Sequence, residues 1–399
     1  MIPKREWDAY NRSVDRICSR AESSAVRAVL AAVRAGELSG MGFAGIRDQV
    51  RAVFEPVMTA YAEAASELAA EWYDMEAEGH GYKLPAAVTQ VDPCGDAVDA
   101  TVRYQIRKLM DGDAEGFARA CGALARDSAV RQLNSTIMAN TARDRGRGVR
   151  FARVTTGRET CAFCYMLASR GAVYHTRETA GQFDHYHRRC DCKVVPGFED
   201  DPDAPLVEGH DPALMRSRMA LIEEQTGLSF SEKGDLGALS VEMGDRDPAW
   251  LYGGAAPGPK FEEGAVPNRA ELATAGKLSE YGYRCVFRKT RDGEMIKTSD
   301  VLIIGKDGEA EWDFKCPTGN GRQTVFHQFE EAVGQARRVV IDFRQAGEAY
   351  SDGAFAVGMV RKFMKYHYRI RSGNGKGSEW DFLEAMAVLK DGSLKKIVR

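Results

Sequence analysis

The stretch "YGGAAPGPKFEEGAVPN", residues 252 to 268, packs four glycines and three prolines into 17 residues. Glycine costs backbone entropy wherever a regular element must form, and proline lacks the N–H that helix and sheet both need. Such a stretch reads as a linker, so the chain is expected to divide there. A length of 399 residues points the same way, because single domains usually run to about 100–200 residues. Charge changes across the division. Asn268 to the end carries 23 Lys+Arg against 18 Asp+Glu, whereas the first 267 residues carry 32 against 40. A basic tail suits a polyanionic partner, although an imbalance this small is common in proteins that bind no nucleic acid.

Residues 6 to 145 are expected to be helical. "SSAVRAVLAAVRAGE" and "YAEAASELAAEWYDMEAEG" repeat apolar residues at three and four spacing among strong helix formers. Two further helices are expected around "DAVDATVRYQIRKLMDG" and "DAEGFARACGALARDSAVRQLNSTIMANTARD". Nothing in this half looks catalytic, which fits a scaffold or assembly surface. The start has no apolar core of signal-peptide type, and no stretch approaches the roughly 20 apolar residues that span a bilayer. The expectation is a soluble chain made in a cytoplasm and not inserted in a membrane.

After residue 148 the texture changes. Cys161-x2-Cys164 is followed by His185-x-His187-x2-Cys190-x-Cys192. Two thiolates in a Cys-x2-Cys knuckle turn towards one ion, and a second Cys/His cluster can complete a tetrahedron. The expectation is structural Zn²⁺ on Cys161 and Cys164 with two of His187, Cys190 and Cys192; reduced thiols in a tight fold are the alternative. His185 is read as a surface or supporting histidine. No general base accompanies the cluster. An acidic connector with one helix is expected over 201–267, so the domains read as 1–148, 149–200, 201–267 and 268–399.

"RVTTGRETCAFCYMLASRGAVY" followed by "HYHRRCDC" resembles the minor capsid, or head-morphogenesis, proteins of actinobacterial phages and prophages, related to MuF-type portal-associated proteins. The likeness covers roughly residues 1 to 200 and departs from many relatives at Arg188, where they carry proline. It implies a virion component that meets portal and capsid proteins.

In "SDVLIIGKDGEAEWDFKCP", residues 299 to 317, strand alternation sets Glu311, Asp313 and Lys315 on one face and Trp312, Phe314 and Cys316 on the other. "KDG" at 306 to 308 reads as a hairpin turn, which brings Asp300 near Asp313 with Lys315 beside them. Two carboxylates and a lysine on one face could hold a divalent cation against a phosphate. The plainer alternative is a cross-strand salt bridge on an exposed edge. Glu271 lies in a helix upstream. Downstream, "QTVFHQFEEAVGQARRVVIDF" reads as a helix with Gln328, Glu331 and Gln335 on one side, then a buried strand. His327 reads as capping or packing. Lys362, Lys365 and Arg369 among Tyr366, His367 and Tyr368 could grip a nucleic-acid backbone, or form a solvated amphipathic strand.

Helix, strand, strand, strand with Asp-x-Lys, helix and strand is the core order of the restriction-endonuclease-like, or PD-(D/E)XK, nucleases. Over residues 267 to 345 the sequence is similar, more narrowly, to the C-terminal tRNA-nuclease toxin domains of CdiA-type contact-dependent growth-inhibition proteins. The resemblance implies an α/β domain with a mixed central sheet, in which Asp300 and Asp313 hold Mg²⁺ or another divalent cation. It makes Glu271 a supporting carboxylate and Lys315 the catalytic lysine, with Gln335 and Lys297 as further candidates. Glu311 offers a competing acid. Together the two resemblances imply a capsid module carrying a toxin, with tRNA as substrate and a cognate immunity protein. A structural protein with an inactive tail, and a DNase of packaging or repair, are the alternatives.

Overall fold

The computed structural model describes the whole chain except residues 93, 156–160, 177–179, 181–191, 290–298, 322, 334, 366–368, 371–377 and 380; at 369–370 and 378–379 it describes the backbone alone. Two compact units form. One comprises residues 1–160 and 167–213, the other 161–166 and 214–399.

The first unit is built on α1 (Lys4–Leu38), α2 (Phe43–Gly79), α3 (Gly95–Met110) and α4 (Ala114–Asp144), matching the expected helical half. Alanines at 21, 25 and 32 thin the buried stripe of α1. At Gly122 of α4 an added Cβ would lie 2.7 Å from Val26 and 3.0 Å from the Glu22 carbonyl, so the missing side chain is what lets these helices touch. A non-helical stretch between α2 and α3 runs along α4. Backbone groups of Val88, Gln90 and Asp92 bond to Asn140, Thr136 and Gln132 at 2.9 to 3.0 Å. Four helical residues rise roughly 6.0 Å and two extended residues roughly 6.6 Å, so the two periods stay in step. The short strands β1 (Arg150–Val154) and β2 (Lys193–Gly197) pair antiparallel, with α5 (Ala162–Ala168) between them in sequence. The acidic stretch after β2 is pinned rather than loose. Ile2 donates to Leu206 at 2.7 Å and Glu208 donates to Ile2 at 2.9 Å.

In the second unit α6 (Pro212–Thr226), α7 (Leu236–Gly244) and α8 (Pro248–Leu251) precede β3 (Lys260–Phe261), α9 (Arg269–Glu280), β4 (Arg284–Phe287), β5 (Val301–Gly305), β6 (Gly308–Lys315), α10 (Thr324–Ala332), β7 (Arg338–Asp342), α11 (Gly353–Met364), β8 (Arg369–Ile370), β9 (Ser378–Glu379), β10 (Glu384–Val388) and β11 (Leu394–Val398). Among the described residues a seven-stranded mixed sheet runs β11-β10-β7-β6-β5-β4-β3. The pairs β6/β7, β7/β10 and β3/β4 are parallel; the others are antiparallel. Residues of α9 pack with Val301, Trp312, Phe314 and Val340 on one face. Residues of α10 and α11 pack with Val339, Ile341, Ala385 and Ala387 on the other.

The expected linker is therefore partly a strand. Lys260 and Phe261 pair with Val286 and Phe287, and the units divide between Ala213 and Leu214. Buried Arg246 binds the segment before the glycines to the sheet unit: it donates to the Tyr281 carbonyl at 2.5 Å and to Gln225, and lies over the Tyr283 ring. Gly282 (φ +85°) lets the Trp250 ring press on the backbone, where an added Cβ would meet it at 2.5 Å. Lys396 of β11 reaches Glu242 of α7 at 2.9 Å. More than one helix thus precedes the sheet, and all belong to its unit. Among the described residues no helix is long and apolar enough to cross a membrane.

Arg246→Met should lower the unfolding free energy of the second unit by about 3 kcal/mol, since buried hydrogen bonds from a charged donor are lost and their acceptors stay buried. Urea denaturation checks this; an unchanged sheet transition would mean that 214–251 is dispensable to it.

Candidate active site

The β5–β6 hairpin turns through Lys306 and Asp307, and its register pairs Val301 with Trp312. One step further along, Asp300 faces Asp313. Trp312 and Phe314 are buried under α9, which sends Asp313 and Lys315 to the opposite face by simple alternation. That face is not an exposed edge. Asp313 is 0% exposed, because β7 flanks β6 and pairs Val339 with Asp313.

Asp300 and Asp313 adjoin closely enough for Asp300 to raise the Asp313 pKa, and Asp300 Oδ2 accepts from the Phe314 N–H at 3.2 Å. Lys315 Nζ lies 2.9 Å from Asp313 Oδ2. With its side-chain amide turned so that the nitrogen faces the carboxyl, Gln335 donates to both Asp313 oxygens, at 2.7 and 3.0 Å. Gln335 is brought there by a turn, not by the expected helix face: α10 stops at Ala332, and the Gln335 N–H bonds to the Ala332 carbonyl at 3.0 Å. Glu331 stays exposed.

Glu271 sits at the start of α9 in a capping box with Asn268. Its oxygens accept from Asn268 at 2.9 and 2.6 Å, so its immediate task is to cap. Its pKa is raised by burial, lowered by the Asn268 N–H, and raised again by Asp300, with Lys315 opposing; the carboxylate therefore senses the site. Glu311, the competing acid, is drawn off to Arg288 at 2.6 Å. Sequence reasoning gave Asp342 no role, although "VVID" ends β7 on it. Buried Asp342 accepts from Thr274 of α9 at 2.7 Å and from Arg344 at 2.6 Å, joining α9 to the sheet behind the pair.

Lys297 lies outside the described residues, as do His185, His187 and Cys190. Lys362 and Lys365 are exposed at the C-terminal end of α11 and just after it, so this part of the expected strand is helix. Arg369 falls on β8, paired with Glu379. His327 is exposed and contacts Glu330 at 3.3 Å. Cys161 is half-buried and Cys164 buried, with the Cys164 N–H 3.4 Å from Cys161 Sγ. Buried Cys192 accepts from the Arg153 guanidinium.

Among the described residues no three metal-ligating side chains cluster. The Asp300–Asp313 pair nevertheless suits a hard divalent cation, because Mg²⁺ is often held by one or two carboxylates and completed by water and phosphate. Burial pushes the Asp313 carboxyl up to about 8, the Asp300 hydrogen bond adds to this, and Lys315 pulls the other way. A cation placed between the two adjoining carboxyls would relieve the burial and repulsion that raise the Asp313 pKa. A carboxyl whose folded pKa lies above its unfolded value binds the proton more tightly when folded, so its stabilising effect is lost as pH rises. Without divalent cations, the unfolding free energy should fall between about pH 4 and pH 8, and Asp313→Asn should flatten that fall. Denaturation in EDTA across the range checks it.

A family model described as the contact-dependent growth inhibition CdiA C-terminal domain matches residues 297–369. This span holds Asp300, Asp313, Lys315 and Gln335 and leaves Glu271 outside. A solved structure, "CdiA-CT/CdiI toxin and immunity complex from Burkholderia pseudomallei", is similar at 16% identity and TM-score 0.24, covering 35% of this chain and 98% of that one. Two curated relatives are similar over part of the chain. The Gene 15 protein of Mycobacterium phage D29 is 25% identical over 38% of this chain and 66% of its own length. That of Mycobacterium phage L5 is 26% identical over 43% of this chain and 70% of its own length. The chain thus spans about two thirds of the phage relatives it matches. A model described as VG15 protein matches residues 1–221, more than half of the sequence, and the chain belongs to that family.

Proposed function

We propose that the second unit is a metal-dependent nuclease toxin of the PD-(D/E)XK type that cuts tRNA, carried by a phage or prophage minor capsid protein of the MuF-like, head-morphogenesis kind. The observation that carries the reading is the convergence of Asp300, Asp313, Lys315 and Gln335 on one end of β6. The CdiA C-terminal match over those residues supports it, and the relatives support a phage origin. The protein would be made in a bacterial cytoplasm, enter the particle beside portal and capsid proteins, and act in the cytoplasm of the target cell. A cognate immunity protein would protect the producer by covering the acidic site or the basic surface.

A divalent cation on Asp300 and Asp313 would polarise a phosphoryl oxygen and acidify its bound water. Gln335 holds both Asp313 oxygens in one orientation, so the carboxylate needs no rearrangement to serve as a ligand. The Lys315 ammonium, fixed by Asp313, stands ready to stabilise the charge that builds on the phosphate as the phosphodiester is attacked. Lys362, Lys365 and Arg369 would grip the backbone. Zn²⁺ is proposed separately for Cys161 and Cys164 with two of His187, Cys190 and Cys192, as a structural ion; the Cys164 N–H near Cys161 Sγ suits such a knuckle.

With the full chain and Mg²⁺, total tRNA should be cut. EDTA or Asp313→Ala should abolish cleavage, and Lys315→Ala should slow it by about 10²–10³-fold. Cleavage of duplex DNA alone would point to genome processing, and no cleavage of either to a structural protein. Metal analysis should find one zinc per chain, lost in Cys161→Ser.

A further inference from the structure

The six residues 161–166 belong to the second unit, although the chain before and after them belongs to the first. Their attachment is that of a core element. Tyr165 is 0% exposed, and its hydroxyl donates to the Leu251 carbonyl. Its ring lies against Phe230 and Tyr252, with centroids 6.2 and 5.8 Å away. The Ala162 N–H donates to Ser240 Oγ at 2.9 Å, and that hydroxyl is held by the Leu236 carbonyl at 2.7 Å. Every one of these partners comes from 214–252, the segment that Arg246 and Lys396 fasten to the sheet.

We infer that residues 161–166 form a hook, with Tyr165 as its anchor, that holds the C-terminal unit to the N-terminal part of the chain when the connection near residue 213 is cut. The topology makes this specific. A single cut between the two units leaves the hook on the N-terminal fragment and its receiving site on the C-terminal one, so scission alone frees nothing. Release of the C-terminal unit then needs a second event that withdraws Tyr165. An aromatic side chain this deeply buried is a large share of the attachment energy, as at the anchors of protein interfaces. The inference does not depend on what the C-terminal unit cleaves.

The test uses the full chain with a site for a sequence-specific protease inserted between Ala213 and Leu214, both exposed, where the units divide. After complete cutting, the wild-type fragments should co-elute on size exclusion under native conditions. Tyr165→Ala, and independently Phe230→Ala on the receiving side, should make the cut fragments separate, with dissociation at least about 100-fold faster. Circular dichroism and elution of the uncut variants verify folding, and Tyr165→Phe, which keeps the ring, should still co-elute. Separation of wild-type fragments on cutting would overturn the inference. So would persistent co-elution of both alanine variants, which would assign the attachment to other contacts.

Discussion

A carboxyl group with no exposed surface in the middle of a sheet is the constraint around which the second unit is organised. Ionised and alone, Asp313 would cost several kcal/mol. Lys315 and Gln335 relieve that cost, and burial beside Asp300 favours the protonated form of Asp313; these three neighbours depend on different pieces of backbone: β6 itself, the turn after α10, and the residue just before β5. These pieces stay in register only if the sheet is held from both sides. The α9 face does so through Trp312 and Phe314, and the α10/α11 face through Val339 and Ile341. Asp342 adds a polar tie from β7 to Thr274 of α9, whose first turn carries Glu271.

Local periodicity was the legible part of this chain. Alternation within "EAEWDFK" separated the aromatic from the charged face, and the short turn at 306–307 set Asp300 against Asp313, because both follow from geometry within a few residues. Three- and four-residue spacing likewise gave the helices of the first unit. Gln335 came to the site by a different route from the one expected. The pattern of "QTVFHQFEEAVGQ" continues a helix, whereas the backbone leaves it at Val333 to enter β7, and that choice is made by the parallel pairing of β7 with β6. The roles of Glu311 and Arg288 were also decided across strands, where one sequence has no distance information.

The Gly/Pro-rich stretch was misread for a related reason. Composition reports what a segment cannot do alone, and two residues of it need only a neighbour's edge to become β3. Prominent among the contacts that attach the preceding helices is a buried guanidinium on a backbone carbonyl, a glutamine and a tyrosine face. No periodicity announces such a contact, since Arg246, Gln225 and Tyr281 are far apart in sequence and unremarkable in composition. The same holds for the stretch beside α4, where polar side chains at 132, 136 and 140 serve as a strand's partner.

These attachments bear on how a C-terminal unit could be exchanged between otherwise similar chains. A junction inside 252–268 would separate the sheet from the Arg246 and Trp250 contacts made to residues 281–283, and a new domain would arrive without the helices that pack on its sheet. A junction near residue 213 keeps α6, α7 and α8 with their sheet. It still divides the unit, because Tyr165 and Ala162 lie upstream and fill positions in its core. An exchanged domain would have to bring a receiving surface that accepts the same tyrosine. The surface around Phe230, Leu251 and Tyr252 is therefore under a constraint that the Asp313 end of β6 does not share: its shape must match a segment encoded in the other half of the chain.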